Sequence, residues 1–255
     1  MSQPGDSTAD IDAWDAVATA YAEMVTGTDS ISARFWPFLV EELGPLAGKR
    51  ILDLGCGHGW LAARLAAEGA EVMGLDGSAE LLSIGRSRHP ELDLRQADLS
   101  TGLGTGGESF DRIVALMVLM DVVDLDPLLK DVAAALRAGG RFIFTMPHPC
   151  FWAQSPTEDP LTGERYRKVT GYLRLEERWV TSFGGHRHYH RPLSWYFDRL
   201  AQAGLAVGRL VEPPTPPTDN RPPEQWSDYE AWMGTIPTMI GISAFRLTGT
   251  PRLQP

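Results

Sequence analysis

The feature that most constrains the fold is the stretch from Arg50 to Gly59, which reads Arg-Ile-Leu-Asp-Leu-Gly-Cys-Gly-His-Gly. An apolar run, Ile51 to Leu54, predicts a buried strand, and glycines at alternate positions follow it. Leu61 and Leu65, four residues apart, then predict a helix. A strand, a glycine turn and a helix bring the backbone close to a nucleotide-like ligand at the helix N-terminus. Glycine is needed there because a Cβ would block either the turn or the ligand.

Two classes of cofactor site share this architecture. The dinucleotide fingerprint wants a small residue three positions after its second glycine, and that position here holds Trp60. Three acids distinguish the two classes: Asp53 before the first glycine, Asp76 before Gly77 at the end of a second strand, and Asp98 closing a third. With these acids in this order, the chain resembles the class I S-adenosylmethionine-dependent methyltransferases, in particular small-molecule enzymes of the ubiquinone-biosynthesis and natural-product types. The resemblance covers residues 10–146 well and the remainder more loosely.

The resemblance implies S-adenosyl-L-methionine as the cofactor and S-adenosyl-L-homocysteine as the product. We expect Asp76 to accept from both ribose hydroxyls, because each carboxylate oxygen takes one donor, and Asp98 to accept from the adenine amine. Asp53 is expected to orient the glycine loop and, directly or through water, the ammonium of the methionine part. Helix capping is the alternative role for a strand-ending acid. The predicted cofactor-binding residues are Tyr21, Asp53, Gly55, Cys56, Gly57, Asp76, Gly77, Ala97, Asp98 and Leu116.

Tyr21 belongs to this set because it matches an aromatic that lies near the reacting methyl group in the family. An ordinary core aromatic with its hydroxyl at the surface is the other interpretation of Tyr21. Residues 147–191, where many aromatics stand outside the regular pattern, are predicted to cap a pocket, with Trp152 and Tyr172 contacting the acceptor. A surface segment that packs on itself is the alternative there.

Alternating strands and helices predict one α/β domain with a doubly wound, mostly parallel, seven-stranded sheet whose last strand is antiparallel. The glycine pair at 139–140 is expected to end the helix before the fifth strand. The predicted regions are a disordered segment (1–9), an N-terminal helical lid (10–48), a cofactor-binding half (49–146), an inserted substrate cap (147–191) and a C-terminal helix with strands (192–255).

Composition narrows the partners of the protein. A net charge of −10 repels a phosphate backbone, and the basic residues near Arg165 are interleaved with acids, so no nucleic-acid partner is expected. No apolar run reaches membrane-spanning length. Two cysteines, Cys56 and Cys150, make no disulfide framework, and the reduced cytoplasm is the expected setting. Homodimer formation is left open.

Histidines are the candidates for acid–base chemistry. His148 follows the fifth strand between two prolines, in a loop that borders the acceptor pocket in the family, and is the predicted general base. His190 is the reserve candidate. His186, His188 and His190 alternate and therefore share one face of an extended segment, but a metal site is not predicted because no acid or cysteine stands near them in sequence.

The function predicted from the sequence is methyl transfer to an oxygen or nitrogen of a small, partly apolar acceptor, in natural-product or secondary metabolism. The segment from Ala115 to Met120 lacks the Asn/Asp-Pro-Pro-aromatic motif, which disfavours methylation of an adenine amine or a planar amide by that route. A methyltransferase for tRNA or protein is the alternative, and a non-catalytic S-adenosylmethionine-binding protein is another. Trp60 disfavours a nicotinamide-dependent oxidoreductase.

Overall fold

The protein is built on one large sheet, seen in a computed structural model that describes residues 7–27, 30–152, 156–215, 217 and 221–247. Its strands and those of two small hairpins are β1 (Arg50–Leu54), β2 (Glu71–Asp76), β3 (Asp93–Gln96), β4 (Phe110–Leu116), β5 (Leu136–Pro147), β6 (Pro156–Glu158), β7 (Arg165–Arg167), β8 (Glu176–Val180), β9 (His186–His190), β10 (Leu205–Val211) and β11 (Met239–Arg246).

The large sheet has seven strands in the order β10-β11-β5-β4-β1-β2-β3. The pairs from β5 through β3 are parallel, whereas β11 is antiparallel to both β5 and β10. Residues 51–54 of β1 and 141–147 of β5 are buried almost throughout, as expected for strands covered on both faces. The predicted α/β class, with its antiparallel last strand, is confirmed.

Seven helices accompany the strands in the described part of the chain. They are α1 (Ser7–Met24), α2 (Ser30–Leu43), α3 (Trp60–Ala67), α4 (Ala79–Arg88), α5 (Asp126–Ala135), α6 (Leu193–Gln202) and α7 (Asp228–Met233). One apolar cluster joins the sheet to α5 and α6 through Phe142 and Leu200, and a second joins it to α2 and α3 through Phe35 and Leu65. Helices therefore cover both faces, and the carboxyl ends of the parallel strands stay available for a ligand.

The segment after β5 leaves the strand–helix alternation, as predicted. It forms two antiparallel hairpins, β6–β7 and β8–β9, which are separate from the large sheet. The backbone amide of Tyr189 on β9 donates to the carbonyl of Met120, just beyond β4, at 2.7 Å. The second hairpin is thereby fixed against the carboxyl edge of the sheet.

Two predicted boundaries are wrong. Helix α1 begins at Ser7, so residues 7–9 are helical rather than disordered, whereas residues 1–6 lie outside the described part of the chain. Helix α5 ends at Ala135 and not at the glycine pair, because Leu136 already pairs with Phe110 in the sheet. The glycines instead occupy an irregularity within β5, where Gly139 has a φ of +75°.

None of the described helices is both long enough and apolar enough to cross a membrane.

Candidate functional site

Two adjoining cavities open at the carboxyl ends of the parallel strands. We call the first the carboxylate cavity because Asp76 and Asp98 line it, and the second the aromatic cavity because Trp152 and Phe183 line it. The residues that line both are Trp14, Tyr21, Gly55, Leu116, Met117 and Asp121. The two cavities therefore share walls, and a ligand in one lies next to a ligand in the other.

The turn after β1 forms the floor between the cavities. Gly55 has a φ of +62° and Gly57 a φ of +54°, which is the left-handed region that favours glycine. A Cβ on Gly55 would lie 2.5 Å from a methyl of Val118, so the close approach of the turn to the segment after β4 also requires glycine. The sequence prediction of a tight glycine turn is confirmed by these angles.

Asp76 lies where β2 ends and binds two backbone amides. Its Oδ2 accepts from the Gly57 amide at 2.7 Å, and its Oδ1 accepts from the Ser78 amide at 2.8 Å. Burial raises the pKa of Asp76, although the Ser78 and Gly57 amides oppose that rise. The carboxylate thus links the glycine turn to the start of α4 while it lines the carboxylate cavity.

Asp53 lines the aromatic cavity from β1 and has an incompletely satisfied carboxyl group. It is 2% exposed, and its Oδ2 has no hydrogen-bond partner among the described residues. Burial, with a further contribution from the Asp76 carboxylate, raises the pKa of Asp53 to about 8. A buried, unpaired carboxyl oxygen at a cavity wall suits a cationic ligand group, which would supply the missing partner.

The remaining predicted cofactor residues line one cavity or both. Gly77 and Asp98 line the carboxylate cavity, Cys56 lines the aromatic cavity, and Leu116 lines both. Asp98 also caps a short 3₁₀ helix by accepting from the Ser100 amide, so its capping and cavity-lining positions coexist.

Ala97 is the exception among these residues. Its side chain packs against the apolar core, and its amide donates to the Asp76 carbonyl. Ala97 therefore joins the end of β2 to the backbone just before Asp98, and it is not among the residues that line either cavity, so its cofactor role stays a prediction.

Aromatic side chains from α1 and the cap meet over the cavities. Tyr21 stacks edge-on against Trp14 at 5.4 Å between ring centroids and against Phe183 at 5.1 Å. Met117, which lines both cavities, has a φ of +60°, a strained conformation for a side chain of its size. Tyr172, predicted to contact the acceptor, instead accepts from the Leu193 amide and is a structural residue of the cap.

The catalytic role predicted for His148 stays a prediction, and the structure shows that its ring has two protein partners. Its Nδ1 accepts from the Cys150 amide at 3.1 Å, so its hydrogen lies on Nε2, which donates to Glu212 at 2.9 Å. Burial lowers the pKa of His148. Both ring nitrogens are engaged, and His148 lines a smaller, third cavity beside the cap.

His190, the reserve candidate, also lines the third cavity. Its Nε2 lies 3.0 Å from the Tyr172 carbonyl, and burial lowers its pKa. The third cavity shares Met120, Pro147, Trp152 and His188 with the aromatic cavity. The catalytic roles of His148 and His190 therefore stay predictions.

Asp121, His186 and His188 also line the aromatic cavity, and their polar side chains lie close together. Asp121 follows β4 by five positions, and the histidines lie on β9. The sequence offered the alternation of the histidines as a signal, but it gave no sign that Asp121 would join them. That meeting depends on how the cap packs on the sheet.

Comparison with known proteins bears on this site. Residues 52–144 match a protein family described as "Methyltransferase domain". A solved S-adenosylmethionine-dependent methyltransferase from Mesorhizobium loti superposes with a TM-score of 0.70 at 30% identity, over 84% of this chain and 98% of that one. The chain belongs to the class I S-adenosylmethionine-dependent methyltransferases.

Curated relatives of this methyltransferase carry a more specific name. The ubiquinone biosynthesis O-methyltransferase of Coxiella burnetii is 32% identical over 180 residues, which are 62% of this chain and 75% of that protein. The enzyme of the same name from Sinorhizobium medicae is 36% identical over 99 residues, and the chain there spans only 40% of the relative's length.

The cofactor of the family fits the residues that this methyltransferase presents. S-adenosylmethionine carries ribose hydroxyls, an adenine amine and a methionine ammonium, all of which are hydrogen-bond donors. The two cavities offer them the carboxyl groups of Asp76, Asp98 and Asp53. The unpaired oxygen of Asp53 is the most direct sign of a missing cationic partner.

Proposed function

We propose that the protein transfers the methyl group of S-adenosylmethionine to an oxygen or nitrogen of a small, partly apolar acceptor held in the aromatic cavity. The observation that carries the proposal is the adjacency of the two cavities, which share Trp14, Tyr21 and Met117 as walls. Methyl transfer is an in-line displacement, so donor and acceptor must lie next to each other with water excluded.

Each of the three carboxyl groups is assigned a different part of the cofactor. We assign the ribose to Asp76, the adenine amine to Asp98 and the methionine ammonium to Asp53, in line with the charge of each group. When bound, the cofactor supplies an electrophilic methyl group on a sulfonium. The glycine turn lets the backbone approach the cofactor. Tyr21 lines both cavities and would therefore lie next to both the cofactor and the acceptor.

The walls of the aromatic cavity indicate the acceptor class. Trp14, Trp152 and Phe183 offer flat apolar surfaces, whereas Asp121 and His188 offer polar atoms on one side. An acceptor with an aromatic or similarly flat apolar body and one polar reacting group matches this distribution. The name of the ubiquinone biosynthesis relatives supports an oxygen acceptor, and a role in natural-product or secondary metabolism stays a prediction.

A tRNA or protein acceptor is the alternative that the charge of the chain disfavours. The net charge of −10 opposes binding of a polyanion, and the aromatic cavity lies beneath the cap rather than on an open surface. A catalytically silent binding protein would keep the carboxylate cavity but show no turnover.

The test is a screen of small phenols, quinols and amines with S-adenosylmethionine, in which S-adenosylhomocysteine formation is measured. We expect at least one small acceptor to be methylated, and Trp152→Ala to weaken its binding while cofactor affinity stays nearly unchanged. Tyr172→Phe, which alters an aromatic of the same cap outside the cavity, is the matched control. Turnover on tRNA or protein alone, or cofactor binding with no turnover on any acceptor, would reject the proposal. Tighter binding of NAD than of S-adenosylhomocysteine would reject the cofactor assignment as well.

A further inference from the structure

Three potential metal ligands from distant parts of the chain converge on one wall of the aromatic cavity. The Nε2 atoms of His186 and His188 lie 2.9 Å apart, and Asp121 Oδ1 lies 3.1 Å from His188 Nε2. One ligand atom from each of the three residues falls within 4.8 Å of the other two. All three side chains are largely buried, so bulk water does not explain their arrangement.

The fold holds these ligands together through the backbone. Arg191, next to the end of β9, is 6% exposed and donates to the carbonyls of Leu119, Val122 and Val123, which flank Asp121 in the chain. The backbone amide of Tyr189, which follows His188 in the chain, donates to the Met120 carbonyl. Hydrogen bonds from Tyr189 and Arg191 therefore join β9 to the loop that carries Asp121.

Hydrogen bonding among the three side chains does not account for the cluster. His188 Nε2 faces both His186 Nε2 and Asp121 Oδ1, yet a neutral ring nitrogen has either one hydrogen or one lone pair. Asp121 Oδ1 in fact has no hydrogen-bond partner with acceptable geometry among the described residues. Buried polar atoms are normally satisfied, so this group of lone pairs directed at one region calls for a shared partner.

We propose that Asp121, His186 and His188 bind a divalent first-row transition-metal ion, with Zn²⁺ the preferred occupant. Two imidazoles and one carboxylate are an established donor set for such ions. Tetrahedral ligand atoms about 2.0–2.2 Å from a Zn²⁺ ion lie about 3.3–3.6 Å apart. The spacings of 2.9 and 3.1 Å that His188 Nε2 makes with its two neighbours would therefore widen by a few tenths of an ångström when the ion binds.

The charges around the cluster favour a cation. The Asp10 carboxylate lies near enough to Asp121 to interact with it electrostatically, and a cation at the cluster would offset this negative charge.

The sequence argument against a metal depended on the lack of an acid near the three alternating histidines. The fold supplies that acid from the loop after β4, far away in the chain. It also separates the histidines, because His190 Nε2 contacts the Tyr172 carbonyl instead. Two of the three histidines therefore belong to the cluster.

Three protein ligands leave a coordination position open, and the cluster lines the aromatic cavity. An oxygen of the acceptor would take that position, and the ion would favour its deprotonated form. This orienting role rests on the proposed function, whereas metal binding itself does not.

The experiment is a titration of chelator-dialysed protein with Co²⁺ as a spectroscopic substitute for Zn²⁺, followed by visible absorption and calorimetry. We expect one equivalent of Co²⁺ per chain, displaced by Zn²⁺. His186→Ala, His188→Ala and Asp121→Asn should each weaken Co²⁺ binding by at least about 100-fold, since even residues that only support ligands contribute about 10- to 100-fold. His190→Ala, a histidine of the same strand outside the cluster, should bind Co²⁺ like the wild type.

S-adenosylhomocysteine affinity, measured in the same samples, separates this proposal from the previous one. Co²⁺ binding without methyl transfer would uphold the metal site and reject the proposed function. Methyl transfer by a chain that binds neither Co²⁺ nor Zn²⁺ would uphold the proposed function and reject the metal site. The nearly isosteric Asp121→Asn guards against misfolding: if this variant is folded by circular dichroism and binds Co²⁺ like the wild type, the metal site is refuted.

Discussion

Asp53→Asn is the substitution expected to change the stability of the protein and its affinity for the cofactor in opposite directions. The Asp53 carboxyl is buried, with one unpaired oxygen, and its pKa is raised to about 8. Asparagine has nearly the same shape but stays neutral at every pH. We therefore expect the variant to be more stable than the wild type without cofactor and to bind the cofactor less tightly.

The size of the stability effect follows from the pKa. An unfolded aspartate has a pKa of about 3.9, so in the folded state Asp53 must be protonated, at a free-energy cost of about 4 kcal/mol at pH 7. Asparagine avoids this cost, and the free energy of unfolding should rise by up to about 4 kcal/mol. Cofactor affinity should fall by about 1.5–3 kcal/mol, the value of a hydrogen bond to a charged group, or roughly 10- to 150-fold.

The pH dependence gives this prediction its signature. Because the folded pKa lies above the unfolded one, the wild type has its full stability from this group below about pH 4 and loses it as pH rises towards 8. The stability advantage of Asp53→Asn should therefore grow by about 3.6 kcal/mol between pH 5 and pH 8. Conversely, wild-type affinity for the methionine ammonium should strengthen over this range, because binding needs the carboxylate.

Urea denaturation at pH 5 and pH 8 measures the stability, and calorimetry with S-adenosylhomocysteine measures the affinity. Asp198→Asn, which changes an exposed acid on α6, is the matched control and should alter neither quantity. Equal wild-type and Asp53→Asn stability at pH 8 would refute the burial argument. Unchanged affinity at pH 8 in the folded variant would show that the ammonium binds elsewhere.

Three further substitutions test the positions of other residues. Gly55→Ala should lower the free energy of unfolding by about 2 kcal/mol or more. An alanine in the left-handed conformation costs about 1–2 kcal/mol, and its Cβ would also be too close to Val118. Chemical denaturation measures this change, and an unchanged stability would contradict the turn geometry. His148→Ala should lower stability by about 1–3 kcal/mol, because it removes a buried ring and that ring's hydrogen bonds with the Cys150 amide and Glu212. Turnover should stay within about tenfold of the wild type, and a loss of 100-fold in a folded variant would favour the general-base role. Arg191→Lys should destabilise the protein by about 1–3 kcal/mol, because the single nitrogen of an ammonium cannot take the places of the two guanidinium nitrogens that donate to the three carbonyls. An unchanged urea midpoint would argue against this role.

The cofactor-binding half was predictable because its signals are local in sequence. A strand, a left-handed glycine turn and a helix occupy consecutive residues, and parallel strands bring their carboxyl ends together whatever the rest of the chain does. Asp53, Asp76 and Asp98 therefore reach the cavities from their positions in the strand order alone. The end of α5 was missed because sheet pairing of Leu136 overrides the glycine stop signal.

The acceptor side depends on tertiary contacts that no short pattern encodes. His148 has the residue type and loop position of a base, yet contacts from Glu212 and Cys150 take up both of its nitrogens. Asp121 carries no sequence signal at all, because its partners arrive through the packing of β9 on the loop after β4. A prediction of these roles needs the three-dimensional placement of the cap.

Arg191 joins the cap to the loop after β4, and thereby to the cluster of Asp121, His186 and His188. An arginine that is 6% exposed and bonded to three carbonyls fixes the loop after β4, and the strand that delivers this arginine also delivers His186 and His188. A displacement of the strand would therefore move both sides of the cluster and the aromatic wall together. It follows that changes in the cap which leave Arg191 in place can alter the acceptor pocket while the cluster geometry is kept. Family members that differ in acceptor are expected to differ first in the two hairpins and last in this arginine and the loop it holds.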